Sequence, residues 1–467
     1  MNDQRTGMAM LIRFSLLVVI ACGMSVPGSL LVPSEAHAVP AFARKYNVNC
    51  TVCHTRPPRL NTFGERFLEN GYQMPGTEDG GITKKRRLGD LTLNDVTDIL
   101  AFRVKGNFLR NFDYAKSSSG PGIAGNPEDR TDFGWPKSFN LFTAGTITSN
   151  VGFFVEVESG LESGETKVER AFVTFNNLGK HDLAHLRIGK LDPSAFMSFP
   201  THRQQLDVVG VDLDPSGTAT SPIINRIPLL PNAFAAKMYG LKKRDGTAIL
   251  PFQASLFNSP EEIGLDIHGR PFGRWLLYQV GVLNGANETF GDSNNPKDWY
   301  VMVRLDQAES DLFSANISGF AYFGNNNAKV STGSATPDVD WSRYGLAATL
   351  RYKMVDVYGA FVIDRVTNLP QALASSFDST ATGLTLEADV LLTDRLLMSL
   401  RFDNLDAGGA LAARKSNTLL AIQAKYYLRT NIALFVRDDF NLREAEGGTS
   451  SARNFRNAFL IGADLIY

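Results

Sequence analysis

Long apolar runs are missing from this sequence once its first residues are passed. A membrane-spanning helix needs about 20 consecutive apolar residues, and no stretch after the N-terminus supplies them. Charge bias is also missing, since the net charge is −1 among 467 residues, so nothing favours nucleic acid as a partner. Yet 43% of the residues are hydrophobic. The chain is therefore either a large soluble protein or an outer-membrane β-barrel.

Cysteine and several catalytic patterns are scarce or absent as well. Three cysteines and six histidines occur in the whole chain. A structural zinc site usually draws on two cysteine pairs, and this sequence has only the pair Cys50 and Cys53. No serine–histidine–aspartate arrangement, phosphate-binding glycine loop or paired-carboxylate motif is recognisable. Hydrolytic and phosphoryl-transfer activities thus have no sequence support.

The N-terminus has the pattern of an export signal. Arg5 and Arg13 precede the apolar run FSLLVVIACGM, and the segment SEAHA ends at Ala38 in a small-x-small cleavage site. This pattern predicts a signal peptide over residues 1–38 and a mature chain that starts at Val39. An alternative is lipoprotein acylation at Cys22. Under either reading the chain leaves the cytoplasm.

The motif Cys50-Thr51-Val52-Cys53-His54 carries the most specific chemistry in the sequence. A redox Cys-x-x-Cys pair expects a thioredoxin-like βαβ context, which does not follow. Cys-x-x-Cys-His is instead the attachment motif of c-type haem, in which two thiols bond one haem and the histidine is its proximal iron ligand. Export fits this interpretation. We therefore predict one covalent haem c on Cys50, Cys53 and His54.

The residues after the motif suggest how the haem is covered. Apolar residues at Leu60, Phe63, Phe67 and Leu68 have the spacing of a short helix, which Gly71 would end. Such a helix would lie on the haem.

The sixth iron ligand is predicted to be Met74. It follows the predicted helix and precedes Pro75-Gly76, in a segment that could fold back over the ring. The alternative is that Met74 only packs, and His185 and His202 are further candidates.

Most of the remaining chain alternates between apolar and polar residues with a period of two, as β-strands do. Short turns at residues 148–150, 244–246, 354–356, 393–394 and 429–431 alternate with long, polar, glycine-rich stretches. Short turns on one rim and long loops on the other are typical of an outer-membrane barrel.

The C-terminal run NAFLIGADLIY gives the clearest strand. Counting back from Tyr467 by twos, one face is apolar, whereas the other carries Gly462 and Asp464. One face suits lipid and the other a polar lumen. Aromatic residues near strand ends are expected to form an interfacial girdle: Trp275, Trp299, Tyr300, Trp341 and Tyr344.

Between sixteen and eighteen segments have strand character, depending partly on whether EIGLDIHG is counted. Because bacterial barrels have even strand numbers, we predict an all-β transmembrane barrel of about 16 antiparallel strands over residues 90–467. Residues 39–89 form the cytochrome segment, with helical and irregular structure. A segment this small is marginal alone, and such a barrel leaves a lumen, so we expect the segment to plug it.

This layout resembles the fused outer-membrane monohaem cytochrome–porins of iron-oxidising bacteria. The resemblance covers nearly the whole mature chain and is most specific from Phe42 to Gly81, around the haem motif. It implies an iron:cytochrome c oxidoreductase that oxidises extracellular Fe(II) and passes the electron to a periplasmic cytochrome or other carrier. Its haem residues are Cys50, Cys53 and His54.

Three other functions remain open at this stage. A solute porin with a haem plug would have an open lumen and pass solutes. A soluble periplasmic haem enzyme would be released without detergent. An electron conduit could also take its electrons from another metal, a mineral or a partner cell.

Overall fold

The structure is a computed structural model, and it describes residues 41–74, 87–88, 91–92, 96–114, 130–161, 164, 166–179, 182–198, 205–206, 241–242, 261–285, 296–307, 313–327, 329–330, 338–367, 380–406, 417–442 and 455–467. The predicted signal peptide with its cleavage site, Cys22, His202 and the predicted turn at 244–246 lie outside the described residues.

Sixteen strands form a closed antiparallel barrel in which each strand pairs with the next along the chain. In chain order they are β1 Leu100–Tyr114, β2 Arg130–Thr148, β3 Val151–Gly160, β4 Thr166–Leu178, β5 Ala184–Leu191, β6 Glu262–Gly269, β7 Leu276–Leu283, β8 Asp298–Asp306, β9 Phe313–Asn327, β10 Asp338–Tyr352, β11 Val355–Thr367, β12 Thr380–Leu391, β13 Leu396–Asp406, β14 Asn417–Arg429, β15 Ile432–Asn441 and β16 Phe455–Ile466. The predicted fold class and strand number are confirmed, and EIGLDIHG is strand β6.

The barrel closes where β16 pairs with β1. The Phe102 amide donates to the Tyr467 carbonyl oxygen at 2.7 Å, and the Tyr467 amide donates to the Phe102 carbonyl oxygen at 2.8 Å. Both ends of the barrel therefore lie on one rim, which also carries the short turns between β2 and β3, β10 and β11, and β14 and β15. In outer-membrane barrels this is the periplasmic rim.

Strand β8 shows how the wall separates its two faces. Tyr300, Met302 and Arg304 point into the lumen and are at most 3% exposed, whereas Trp299 and Val303 point outward and are 48% and 43% exposed. Successive side chains of a strand lie on opposite faces. The alternation predicted from sequence is thus a polar inner face and an apolar outer face.

The outer face carries a belt of exposed apolar side chains, as a lipid-facing wall requires. Trp299 stacks on Phe323 with 4.2 Å between the ring centroids, and Phe323 packs edge-on against Tyr344 with 5.6 Å between the centroids. Trp275 is 52% exposed beside the periplasmic rim. A closed barrel with a polar inner face and an apolar outer face is the architecture of outer-membrane β-barrels. Among the described residues, no helix is long and apolar enough to span a membrane.

Tyr300 is not part of the predicted aromatic girdle. Its ring points into the lumen, where its hydroxyl donates to an Asp266 carboxylate oxygen at 2.8 Å. Its neighbour Trp299 takes the outward position, so the adjacent position must face inward. The side chain of Trp341 lies outside the described residues.

The N-terminal residues 41–74, here called the plug, are helical and irregular. They contain α1 Ala41–Tyr46, a 3-10 turn over Cys50–Val52, a strand pair of His54–Arg56 with Arg59–Leu60, and α2 Thr62–Glu69. The predicted short helix is confirmed, and it ends before Gly71. A four-residue helix, α3 Val96–Ile99, precedes β1, which begins at Leu100. The domain boundary after Gly89 stays a prediction.

We predict that Ile461→Arg impairs barrel assembly. Ile461 lies on the outer face of β16. Asp464 of the same strand lies on the inner face, where it pairs with Arg103 at 2.7 Å. An arginine facing lipid near the bilayer midplane costs about 2–4 kcal/mol. The heat-modifiable, folded fraction of the protein should therefore fall on cold gels. Ile461→Val is the matched control and should fold normally; equal folding of both variants would contradict a lipid-facing position.

Candidate functional site

The haem motif lies in a tight turn at the start of the plug. Cys50 opens the 3-10 turn, and the Cys53 amide donates to the Cys50 carbonyl oxygen at 3.2 Å. Cys50 is 6% exposed, Cys53 is half-buried, and the two cysteines form no disulfide bond. His54, also half-buried, begins the strand His54–Arg56, which we call the motif strand. The turn thus holds two reduced thiols directly before an imidazole.

Burial disfavours the ionised form of both thiols. It raises the pKa of Cys50, and together with the neighbouring Cys50 charge it raises the pKa of Cys53 to about 11. Catalytic redox cysteines instead usually have lowered pKa values. Among the described residues no group of three or more His, Cys, Asp or Glu side chains could hold a metal ion. The donor set, two neutral thiols with an adjacent imidazole, fits thioether attachment of a haem.

Asn61 connects the motif turn to helix α2, a role that sequence reasoning missed. Its side-chain amide donates to the carbonyl oxygens of Thr51 at 3.2 Å and Val52 at 3.0 Å, and its side-chain oxygen accepts from the Gly64 amide at 2.9 Å. Asn61 is therefore both the N-cap of α2 and a brace for the motif. A Cβ atom at Gly64 would collide with the Cys53 carbonyl oxygen. An asparagine before a helix-like apolar pattern was the available signal.

The predicted sixth ligand, Met74, is half-buried at the end of the plug. The Asn70 side-chain amide donates to its carbonyl oxygen at 3.1 Å. His185 is buried in the barrel wall, with its ring stacked on His268 at 5.1 Å. The coordination of iron by Met74 stays a prediction.

The plug shares its aromatic core with the barrel wall. Within the plug, Phe42 packs against Phe67 at 5.1 Å and Tyr72 at 5.2 Å. Tyr72 then stacks on Phe154 of β3 at 4.8 Å. Gly71 permits this approach, because its φ of +61° favours glycine and a Cβ there would collide with the Asn176 side chain. The plug therefore completes its core only inside the lumen.

Helix α2 is fixed to the wall by buried ion pairs. Glu65 pairs with Arg351 of β10 at 2.7 Å, and Glu69 pairs with Arg304 of β8 at 2.6 Å and with Arg270 at 2.8 Å. All of these side chains are at most 12% exposed. Buried charges are stable only when they are paired. These contacts define the electrostatic latch between plug and barrel.

Other contacts extend the attachment around the lumen. Arg59 of the plug pairs with Asp356 of β11 at 2.9 Å and lies 4.7 Å from the Tyr358 ring. On the opposite wall, Lys45 donates to Thr146 of β2 at 3.4 Å. His268 of β6 contacts the Glu69 carbonyl oxygen through Nε2 at 2.8 Å. The plug is held from several directions, so the motif has a fixed place in the barrel.

A second segment lies inside the lumen beside the plug. We call the described residues 192–198 and 205–206, which follow β5, the inner loop. Arg304 donates to the Phe196 carbonyl oxygen at 3.1 Å, and the Ser198 amide donates to Ser318 at 3.0 Å. The cavity between plug and inner loop has a volume of only about 10 Å³, room for a single water at most. Plug and inner loop thus pack against each other.

No family model matches this sequence, and no curated protein matches it. Similar solved structures include OmpF of Salmonella typhi, in complex with daunomycin (13% identity, 81% of this chain and 98% of that chain, TM-score 0.48). An anion-selective porin from Comamonas acidovorans matches at 14% identity, over 79% and 98% of the two chains, with a TM-score of 0.46. OmpT of Vibrio cholerae matches at 9%, over 81% and 100%, with a TM-score of 0.44. These identities are too low to transfer an activity.

We predict that the latch is stable down to about pH 4.5 and weakens progressively as the pH falls toward 2. Burial favours the neutral form of Glu65, but Arg351 and Arg304 outweigh it and lower the pKa of Glu65 to about 2. A lowered carboxylate pKa stabilises the folded state fully above its unfolded value of 4.5, and this contribution is lost as the pH falls toward 2. Protease cleavage of the plug should therefore stay slow from pH 7 to about 4.5 and accelerate below it.

Glu65→Gln should open the latch already at pH 7. Breaking one partner of a buried ion pair costs about 3–5 kcal/mol, so plug cleavage should be fast at neutral pH and should converge with the wild type near pH 2. Glu169→Gln is the matched control, because Glu169 pairs with Lys167 of the same strand, β4. Equal cleavage of the two variants at pH 7 would argue against the latch.

Proposed function

We propose that this protein is an outer-membrane electron conduit that oxidises extracellular Fe(II) through one covalent haem c and reduces a periplasmic cytochrome or other carrier. It would be an oxidoreductase of the iron:cytochrome c type. The observation that carries the proposal is the position of the Cys-x-x-Cys-His turn, which buried ion pairs and aromatic contacts hold inside a closed membrane barrel.

The residues of the turn support haem as the resident group. Cys50 and Cys53 would hold it through thioether bonds, and His54 would bind its iron. When bound, the haem supplies reversible one-electron chemistry, and the protein supplies ligation, orientation and burial. The brace from Asn61 suits this role, because attachment requires both sulfur atoms to be held in one fixed turn.

A single redox group can serve both sides of a membrane only if it lies within the barrier. The plug lies inside the lumen against the periplasmic ends of β2, β3, β6, β8, β10 and β11, so a haem held by its motif would lie within the barrel wall near the periplasm. The inner loop follows β5 and packs against the plug within the same lumen. Plug and loop together favour the passage of electrons over the passage of solutes.

Extracellular oxidation also makes chemical sense for this architecture. Each Fe(II) loses one electron outside, and one carrier molecule gains it in the periplasm. Ferric iron precipitates readily, so a cell benefits when the metal stays outside and only the electron enters. A barrel that holds a plug and an inner loop in its lumen suits this division.

A haem-plugged solute porin is the second candidate function. The closed sixteen-strand barrel with a charged inner face favours it, since such walls line aqueous channels. The plug and the inner loop oppose it. A conduit for another electron donor shares every feature above and differs only in the external substrate.

We predict that covalent haem attachment requires both cysteines. Cys50→Ala and Cys53→Ala should each lose most haem staining on denaturing gels, because each thiol carries one thioether bond. Thr51→Ala, an exposed position between them, is the matched control and should stain like the wild type. Undiminished staining of Cys53→Ala would refute the assignment.

We predict that vesicles carrying the protein transfer electrons from external Fe(II) without importing iron. Proteoliposomes with the long-loop rim outward would hold an oxidised carrier inside, and haem reduction, carrier reduction and iron uptake would be followed together. Carrier reduction should match the Fe(II) oxidised outside, with little iron inside. Cys53→Ala vesicles control for leakage and should show no transfer. Iron influx that equals carrier reduction would favour the porin, and transfer only from other donors would change the substrate.

A further inference from the structure

Two buried side chains from outside the plug hold the backbone just after His54. Gln205 of the inner loop donates through Nε2 to the Arg56 carbonyl oxygen at 2.8 Å. Tyr427 of β14 donates through its hydroxyl to the next carbonyl oxygen, that of Pro57, also at 2.8 Å. Gln205 is 2% exposed and Tyr427 is 3% exposed. The two bonds therefore fix consecutive peptide groups at the end of the motif strand.

The position of Gln205 is itself fixed by one strand of the barrel. Gln423, Lys425 and Tyr427 are successive inward-facing residues of β14. Gln423 donates to the Gln205 main-chain oxygen at 3.1 Å, whereas Lys425 at 3.4 Å and Tyr427 at 3.2 Å contact the side-chain oxygen. Arg401 of β13 holds the next residue by donating to the Leu206 carbonyl oxygen at 3.1 Å. Both the amide and the backbone of Gln205 are thus anchored to a rigid wall.

A third contact restrains the motif strand from its periplasmic side. The Arg56 guanidinium donates to the Asp394 carbonyl oxygen at 2.6 Å, in the turn between β12 and β13. The strand is short, and its first residue, His54, pairs with Leu60. Little freedom remains for the backbone that carries the imidazole. The Cys-x-x-Cys-His motif alone does not require any of these contacts.

Hydrogen bonds that surround a metal ligand orient it and tune the metal. We infer that Gln205 and Tyr427 are positioning residues, which fix the backbone that presents the His54 imidazole as an axial haem ligand. This role rests on the proposed haem function. It also gives the inner loop a purpose beyond filling the lumen, since a residue of the β5–β6 connection then influences the iron–imidazole bond. A substitution at Gln205 in that connection would therefore alter the position of His54 and with it the properties of the haem.

The test compares Gln205→Leu and Tyr427→Phe with the matched control Gln279→Leu. Gln279 is a fully buried glutamine of β7 that hydrogen-bonds to Asp266 and Tyr300. Hydrogen exchange of backbone amides would be measured in the full chain in detergent, which needs no haem. On the haem-loaded chain, the midpoint potential and the binding of added imidazole to the iron would be measured.

We expect amides of residues 54–60 to exchange about threefold to tenfold faster in Gln205→Leu and Tyr427→Phe, the factor that one buried hydrogen bond is worth. Amides of α2 should stay unchanged, and Gln279→Leu should match the wild type. Added imidazole should bind the haem iron of these two variants about threefold to tenfold more tightly. The midpoint potential of the haem should also shift. A purely structural contact would change the exchange rate but neither haem property.

The outcomes separate this inference from the proposed function. If exchange at residues 54–60 is the same in Gln205→Leu as in Gln279→Leu, the positioning role is wrong whatever the haem content. Faster exchange with unchanged potential and imidazole binding would also overturn it, because the contact would then only stabilise the plug. A wild-type chain without covalent haem would refute the proposed function, and the role of Gln205 toward haem with it.

Discussion

The structure depends on the ion pairs between helix α2 and the barrel wall. Glu65 and Glu69 would each be too costly to bury alone. Arg304 and Arg351 of the wall supply the positive charge that these two carboxylates need. The plug and the barrel therefore stabilise each other, which explains how so small a segment adopts one structure. The short turn that carries the two thiols inherits its position from this pairing.

The same mutual dependence appears in the apolar contacts. Phe42, Phe67 and Tyr72 form an aromatic group too small for an independent core, and Phe154 of the wall completes it. Aromatic stacking and buried ion pairs depend differently on distance and on solvent. Because both kinds of contact hold the plug in the same position, that position is specific. A redox group attached at Cys50 and Cys53 would need this constancy, because its distance to donor and acceptor governs electron transfer.

The sequence allowed the barrel to be predicted better than the seating of the plug. Alternation of residue types is local to each strand, so the sixteen strands and the outward face of β16 could be read directly. The prediction for Tyr300 is wrong because it relied on the position of the residue near a strand end. Trp299 faces outward, and since side chains alternate along a strand, its neighbour Tyr300 faces inward. Glu65 and Arg351 are 286 positions apart, and nothing in either segment indicates the other. Gln205 lies in a region without any periodic pattern, so its contact with the motif strand became visible only in three dimensions.

The route of the plug contacts has a consequence for assembly. The plug is synthesised before the barrel, yet it binds Asp356, Tyr427 and the turn at Asp394, which follow it by about 300 residues or more along the chain. It also precedes β1, whose final partner is β16, the last strand of the chain. The plug therefore acquires its contacts only when the later strands are in place. Barrel closure thus becomes the step that fixes residues 41–74 in the lumen.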